Sequence, residues 1–218
     1  MSLISENAII RGDVRIGSGV IVEPYAIING PCEIGDDCNI GAHAVIGGPP
    51  QHTGSYPHPI HGKYSPMGVQ IGKGVCIREF STIHQGLVIT TVVGDNSLVM
   101  TSSHIAHDCM LGAGVTAGSY LALGGFSFID DEVTFGQGCV THPWTCVGRG
   151  SMIGLNSSVL TDVKPYDKVA GAPARVIGKN ERKAYSDDIV MDPHIWDEFA
   201  ALTGRRDHLK TEWYNNQR

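Results

Sequence analysis

The chain has 218 residues, of which 42% are hydrophobic, 17% charged and 7% aromatic, and its formal net charge at pH 7 is −6. This length and composition predict one folded domain, alone or with an appendage, and exclude a disordered chain. The sequence has no run of eighteen apolar residues and no signal-peptide pattern at its start, and its negative charge disfavours a nucleic-acid partner. We therefore expect a cytoplasmic protein without a membrane span.

A period of six residues runs through most of the sequence. From Ile4 to Ile46 every sixth residue is a β-branched aliphatic, and the residue four places after each of them is small. The period resumes over residues 71–83 and, after a second shift of phase, over residues 93–159. An α-helix repeats every 3.6 residues and a flat strand every two, so neither accounts for this spacing.

Short strands joined by tight corners do account for the period. Three six-residue repeats, or hexads, make one triangular coil, so each residue lies one strand spacing below the residue eighteen places later. The aliphatic residues then fill the interior, and the 28 glycines, with Asn and Asp, suit corners that need a positive φ. The pattern predicts an all-β fold, a parallel β-helix of hexapeptide repeats.

Two segments interrupt the hexads. Residues 47–70 are rich in Pro, Gly and His, and residues 84–92 form a second, shorter excursion. Each is either a tolerated insertion or a loop that carries binding groups. The second interpretation is favoured, because long loops on a rigid scaffold usually have a function.

After Val159 the hexads end, and a helical appendage is expected. We assign residues 1–177 to the β-helix and residues 178–218 to a C-terminal helical segment. The helix is predicted to begin at Asp192-Pro193, with Asp as the N-cap and Pro in the first turn. An apolar stripe predicted to pack against the β-helix comprises Ile195, Phe199, Leu202, Leu209 and Trp213.

The cysteines and the charges carry less information than the repeat. Four of the six cysteines occupy the small interior position of a hexad, so we assign them no chemistry. Residues 149–183 carry seven basic and three acidic residues, in contrast to the acidic remainder. This basic collar is either a solvated surface or a site for the phosphates of coenzyme A, phosphopantetheine or an acidic carrier protein. Its candidate contacts are Arg149, Lys168 and Arg175.

The segment around residues 104–108 holds the strongest candidate for chemistry. The hexad phase turns Ile105 inward, so His107 and Asp108 are expected toward the outer edge of a coil wall. Gly125 lies eighteen residues after His107, one coil above it, and His142 follows on the same wall about 10 Å further along.

This arrangement suits general-base catalysis of acyl transfer. A neutral imidazole at His107 can remove a proton from a hydroxyl or an amine, and Asp108 can orient the ring. The backbone N–H of Gly125 can stabilise the oxyanion of the tetrahedral intermediate. A thioester already contains a good leaving group, so neither a metal nor a covalent intermediate is needed.

At these residues the sequence resembles a known family. The runs IREFSTIHQG, HIAHDCMLG and CVTHPW resemble the acyl-carrier-protein-dependent UDP-N-acetylglucosamine O-acyltransferases of lipid A biosynthesis, most clearly over residues 40–165. The resemblance implies a left-handed parallel β-helix, a homotrimer with sites between subunits, and a nucleotide-sugar substrate. It implies no tightly bound cofactor, with acyl carrier protein or coenzyme A carrying the acyl group. His107 matches the family's general base, Asp108 the acid beside it, and Gly125 the oxyanion-binding backbone.

Further positions match the family's substrate cleft. His104 and His142 match histidines that line it, and Gln51 matches a glutamine before the cleft loop. Phe126 stands where the family has another histidine, so a changed sugar or acyl contact is expected there. Pro143 replaces a polar amide, and the region after residue 180 is shorter than the family's C-terminal helical domain.

Three alternatives remain open at this stage. The run AGAPARVIG resembles the ending of acetyl-coenzyme A-dependent hexapeptide acetyltransferases, which implies a sugar-nucleotide N-acetyltransferase. His84, His104 and His107 could serve as the three ligands of a zinc carbonic-anhydrase-like enzyme, although their spacing matches poorly. The coils could also form an assembly module without enzymatic activity.

Overall fold

A computed structural model describes residues 2–52, 65–181 and 193–216. Within them, twenty-five strands of two to five residues form three sheets, which are the three walls of a coiled prism. Wall 1 contains β1 Leu3–Ile4, β4 Ile21–Val22, β7 Asn39–Ile40, β10 Cys76–Ile77, β13 Leu98–Val99, β16 Thr116–Ala117, β19 Thr134–Phe135, β22 Met152–Ile153, β24 Asp167–Ala170 and β25 Arg175–Lys179. Wall 2 contains β2 Ile9–Arg11, β5 Ile27–Asn29, β8 Val45–Gly48, β11 Thr82–His84, β14 His104–Ile105, β17 Ala122–Leu123, β20 Val140–Thr141 and β23 Ser158–Val159. Wall 3 contains β3 Val14–Ile16, β6 Cys32–Ile34, β9 Val69–Ile71, β12 Thr91–Val93, β15 Met110–Leu111, β18 Phe128–Ile129 and β21 Cys146–Val147.

The register confirms coils of eighteen residues. Strand β1 pairs in parallel with β4, so that Leu3 lies beside Ile21, and the same offset joins β14 to β17. The two excursions lengthen single coils without breaking the stack. Residues 49–68 connect β8 to β9, and residues 85–90 connect β11 to β12. Strand β7 therefore still pairs with β10, although Asn39 and Cys76 are far apart in sequence.

The core is the interior of the prism, as the hexads predict. The aliphatic position of each hexad is buried from Val22 to Val159. The prediction is wrong for the first coil, where Ile4 is 46% and Ile10 39% exposed. Both pair with strands of the second coil on one side only, so less surface covers them. Four cysteines are buried at small interior positions as expected, namely Cys32, Cys38, Cys109 and Cys139.

The corners differ from the expectation that Gly, Asn and Asp supply the positive φ angles. Among the described residues, thirteen that are not glycine have a positive φ, and nine of these are neither Asn nor Asp. Several are aromatic, and they stack on the residue one coil away, as the rings of Tyr25, His43 and Phe80 do at 5.1 Å. Stacking between coils offsets the conformational cost of the left-handed region.

The last strand departs from the parallel stacking of the coils. Strand β25 runs antiparallel to β24 and ends at Lys179, two residues past the proposed division after residue 177. The helix α1 spans Pro193–Asn216 and begins on proline as predicted, whereas the proposed cap Asp192 lies outside the described residues.

The apolar stripe of α1 can be followed at two positions. Leu202 and Leu209 pack against the β-helix as predicted. The side chains of the other three stripe residues lie outside the described part of the structure. The helices that the structure describes include none with the length and apolar character needed to cross a bilayer.

Candidate functional site

A cleft of about 640 Å³ opens along the corner between walls 2 and 3. Three successive coils turn this corner at Asp108, Phe126 and Trp144, each with a positive φ. Six residues singled out in the sequence line the cleft together: Gln51, His104, His107, Gly125, Phe126 and His142. The eighteen-residue stacking of the coils therefore brings the predicted residues to one place.

His107 and Asp108 form a buried pair beside this cleft. The Nδ1 of His107 lies 2.6 Å from Oδ2 of Asp108, and the two residues are 7% and 0% exposed. Both residues lie at the corner that follows strand β14 of wall 2, and both are buried there. The excursion over residues 85–90 folds over the Asp108 corner and buries it.

The same excursion supplies hydrogen-bond donors to the carboxylate. Three consecutive backbone N–H groups reach Oδ1 of Asp108, from Leu87 at 3.0 Å, Val88 at 2.7 Å and Ile89 at 2.8 Å. The N–H of Asp108 itself donates to the Thr91 hydroxyl at 2.9 Å. Three backbone donors thus converge on one oxygen of this carboxylate, which acts as the acceptor of all three.

These contacts settle the tautomer of His107. Because the Asp108 carboxylate is an acceptor, Nδ1 of His107 carries the proton and donates it to Oδ2. The unprotonated Nε2 is then available as a base at the surface of the cleft.

Gly125 lies directly on the His107 ring. A Cβ built on Gly125 would stand 2.7 Å from Cε1 and 2.9 Å from Nε2 of His107, so only glycine fits here. The N–H of Gly125 makes no hydrogen bond within the part of the chain that the structure describes. A backbone donor thus lies beside the nitrogen that would act as the base, as oxyanion stabilisation requires.

The neighbouring histidines are held neutral. Burial, with the nearby His104 and His107, lowers the pKa of His84 to about 4. Burial and His107 also lower the pKa of His104, whose Nδ1 lies 2.7 Å from the Thr82 hydroxyl. The ring centroids of His84 and His104 are 4.7 Å apart in an edge-to-face contact. Two uncharged rings therefore lie near His107.

The far side of the cleft is largely apolar. Phe126 stacks on Trp144 at 3.8 Å and presents its ring edge-on to His107 at 5.5 Å. His142 turns its Nδ1 to the carbonyl oxygen of Pro143, at 2.8 Å. Phe126 therefore offers a flat apolar surface in place of a hydrogen-bonding imidazole.

The six-residue pattern did not identify several residues that line the cleft or contact Asp108. His52 lines the cleft with its ring centroid 6.0 Å from that of His107, and burial lowers its pKa. Nothing in a hexad marks a loop residue such as His52. Trp144 could have been found, because it lies two coils above Asp108 at the same corner. The donors at residues 87–89 are backbone groups and leave no signal in residue types.

The candidate donor-binding residues do not line this cleft. Arg149 forms an ion pair with Asp131 at 2.9 Å, which neutralises part of the predicted collar. Lys168 and Arg175 lie on the last two strands of wall 1. Their role in binding phosphates remains a prediction.

The described histidines of one chain were also candidates for a metal site. Within the described ranges, no group of three His, Cys, Asp or Glu side chains is arranged to hold a metal ion. His84, His104 and His107 of a single chain are therefore not grouped as three ligands of one zinc ion.

Comparison with known proteins finds similarity to hexapeptide-repeat transferases. Residues 13–48 match the family model described as bacterial transferase hexapeptide (six repeats). The chain is 36% identical over 124 residues to an acyl-[acyl-carrier-protein]--UDP-N-acetylglucosamine O-acyltransferase of Sinorhizobium fredii, covering 56% of this chain and 46% of that one. A protein of the same name from Anaeromyxobacter sp. strain K is 36% identical over 130 residues, covering 58% and 51%. The chain spans about half the length of the curated relatives it matches.

Solved structures agree over a larger share of the chain. The UDP-N-acetylglucosamine acyltransferase of Campylobacter jejuni superposes with a TM-score of 0.73 and 31% identity, over 87% of this chain and 78% of that one. The Francisella novicida enzyme gives 0.75 and 27%, over 86% and 73%. The predicted fold class, a left-handed parallel β-helix with a short C-terminal helix, is confirmed.

Proposed function

The chain belongs to the UDP-N-acetylglucosamine O-acyltransferase family, and on this premise we propose that it transfers an acyl group from a carrier-protein thioester to a hydroxyl of UDP-N-acetylglucosamine. One observation supports the proposal above others. The His107–Asp108 pair has its carboxylate anchored by three N–H groups, and the imidazole borders a cleft beside Gly125. Acyl transfer by a general base requires these groups: a base, a residue that orients it and a donor for the oxyanion.

The steps follow from the atoms present. Nε2 of His107 removes the proton of the acceptor hydroxyl as the oxygen attacks the thioester carbonyl carbon. Asp108 stabilises the imidazolium that forms, through its 2.6 Å contact with Nδ1. The N–H of Gly125 donates to the oxyanion of the tetrahedral intermediate. The intermediate collapses, the C–S bond breaks, and the leaving thiolate receives the proton from Nε2.

The acyl donor and the assembly are finer parts of the proposal. The names of the curated relatives support a carrier-protein donor over coenzyme A, and an O-acyl over an N-acetyl product. We assign the phosphates of either donor to Lys168 and Arg175. A cytoplasmic homotrimer with its clefts between subunits completes the proposal.

A product assay tests the proposed substrates. The purified chain is incubated with UDP-N-acetylglucosamine and one of two donors, acylated acyl carrier protein or acyl-coenzyme A. The mass of the nucleotide sugar is then measured by mass spectrometry. We expect one added acyl group, labile to mild base as an ester is, formed faster from the carrier protein. A parallel incubation offers an amino-sugar nucleotide with acetyl-coenzyme A. A base-stable amide on that acceptor, without an ester on UDP-N-acetylglucosamine, would favour the N-acetyltransferase instead.

A further inference from the structure

Helix α1 packs against the apolar side chains that surround the candidate site. Leu202 and Leu209 contact a cluster that lies beside the main core. The cluster consists of Leu87, Phe126, Phe128, Trp144 and Cys146. Val88 and Ile89, which donate to Asp108, pack on the same cluster. The helix therefore packs on the same cluster as the loop that anchors the carboxylate, and this cluster includes the aromatic pair of the cleft.

Arg206 connects this helix to the cleft by hydrogen bonds. It lies between the two leucines, four residues after Leu202 and three before Leu209, and so shares their face of the helix. Its Nη1 donates to both carboxylate oxygens of Asp162, at 2.6 and 2.7 Å, and to the carbonyl oxygen of Trp144 at 3.2 Å. Its side chain is only 13% exposed. Because the guanidinium is shielded and one of its nitrogens faces both oxygens of the carboxylate, the contact is less exposed to solvent than an ordinary surface ion pair.

The bonds of Asp162 extend the connection to wall 3. Its Oδ1 also accepts a hydrogen bond from the N–H of Cys146 at 2.9 Å, at the start of β21. Asp162 thus joins Arg206 to the strand that leaves the Trp144 corner. The corner is fixed from two sides, through its own carbonyl oxygen and through the residue two places later.

The Trp144 corner in turn bounds the reactive imidazole. Its N–H donates to the carbonyl oxygen of Gly125 at 3.0 Å, and its ring stacks on Phe126. Gly125 lies beside Cε1 and Nε2 of the His107 ring, and Phe126 is in edge-to-face contact with that ring. A shift of this corner would change the space in which His107 reacts.

We propose that Arg206 is a positioning residue for the acyl transfer: by holding the Trp144 corner, it keeps Phe126 and Gly125 in place against His107. This inference rests on the proposed function. If Arg206 only held α1 against the β-helix, its substitution would lower the free energy of unfolding. The reactivity of His107 would then remain unchanged. The two roles therefore differ in what happens at the His107 ring.

The test compares Arg206→Ala with Arg205→Ala in the full chain. Arg205 is the exposed neighbour of the same charge, so its substitution is the matched control. Two quantities are measured at a temperature well below unfolding. One is the rate at which diethyl pyrocarbonate modifies each histidine, followed by peptide mass spectrometry. The other is kcat and KM for transfer to UDP-N-acetylglucosamine.

We expect Arg206→Ala to lower kcat about tenfold with KM within about threefold, the pattern of a lost transition-state arrangement. His107 should be modified at least about fivefold faster in this variant. His84, which is 8% exposed and does not belong to the cluster, should react at its wild-type rate. Arg206→Lys should restore part of both effects, and Arg205→Ala should match the wild type.

An unchanged kcat would overturn the inference, and so would equal acceleration at His84 and His107, which indicates general loosening. If Arg206→Ala does not fold, Asp162→Asn removes the charge of the partner and must change the reactivity of His107 in the same direction. If the wild-type chain shows no transfer with the proposed substrates, the proposed function fails. The modification rates then still decide whether Arg206 positions His107.

Discussion

At the scale of single residues, two adjacent side chains divide the roles of the proposed mechanism. Asp108 accepts from the loop N–H groups and from Nδ1 of His107, so the imidazole can act only through Nε2. Asp108 also occupies the left-handed region at φ 60°, which Asp and Asn tolerate better than most residues. The position therefore favours an aspartate for two independent reasons.

Replacing Asp108 with asparagine tests this division. The loop donors would hold the amide oxygen, which turns the amide N–H₂ group toward Nδ1 of His107. That ring would then carry its proton on Nε2 and lose its function as a base. We expect Asp108→Asn to lower kcat by about 10²–10⁴-fold with the fold retained. Asp37→Asn, at an exposed corner with a similar φ, should stay within about twofold of the wild type.

The lowered pKa of His84 implies that the stability of the fold depends on pH. Its pKa falls from an ordinary value near 6.5 to about 4 in the folded chain, so the unfolded chain binds a proton first as the pH falls. The neutral His84 thus contributes stability above pH 6.5 that is lost between pH 6.5 and 4. We expect the drop in unfolding free energy between pH 7 and 5 to be about 1–2 kcal/mol smaller in His84→Asn than in the wild type. Urea titrations at the two pH values measure it, and equal drops would contradict the assignment.

The sequence predicted the relative positions of the candidate residues better than their surroundings. The spacing of eighteen placed Gly125 on His107 because stacked coils fix that relation, whatever the side chains are. The burial of Asp108 could not be predicted, since it depends on a loop whose path the hexads do not determine. His52 reaches the cleft from the other excursion, where no periodicity applies.

At the scale of elements, the short excursion over residues 85–90 holds the Asp108 carboxylate through backbone hydrogen bonds. It turns so tightly that a Cβ on Gly86 would stand 1.6 Å from the carbonyl oxygen of Ile89 and 3.1 Å from Oδ1 of Asp108. Only glycine allows the chain to bring three successive N–H groups to one carboxylate. The preference for a functional loop over a tolerated insertion is consistent with this geometry.

Gly86→Ala should therefore disturb the anchor without touching a reacting group. The added methyl group forces the loop open, and we expect kcat to fall about tenfold or more and stability to fall by about 1–3 kcal/mol. Gly204→Ala is the matched control, because a Cβ there has open space within 4 Å. It should leave kcat unchanged and stabilise α1 by up to about 1 kcal/mol. A Gly86→Ala variant with wild-type kcat would contradict the role of the loop.

The elements also differ in how well the sequence predicts them. Strands of two or three residues carry little local propensity, yet the six-residue period located nearly all of them, because each aliphatic must reach the interior. Pro193 located the start of α1. The antiparallel turn from β24 to β25 was missed, since it follows the last hexad and obeys no period.

At the scale of the whole molecule, repetition converts a one-dimensional spacing into a three-dimensional wall. Asp108, Phe126 and Trp144 share a corner because each coil repeats the last, and insertions between coils leave the stack intact. The sequence analysis did not predict that aromatic residues, rather than glycine, would occupy several corners with a positive φ. It depends on ring stacking between coils, which becomes visible only after the coils have been aligned.

The central claim is that His107 is the base for transfer of an acyl group to the nucleotide sugar. The most direct measurement is the turnover of His107→Ala with UDP-N-acetylglucosamine and acyl-carrier protein, beside His208→Ala, which alters an exposed histidine of α1. We predict that His107→Ala loses at least about 10²–10⁴-fold in kcat with an unchanged circular dichroism spectrum and elution volume, whereas His208→Ala keeps wild-type turnover. Wild-type turnover in a folded His107→Ala would contradict the account.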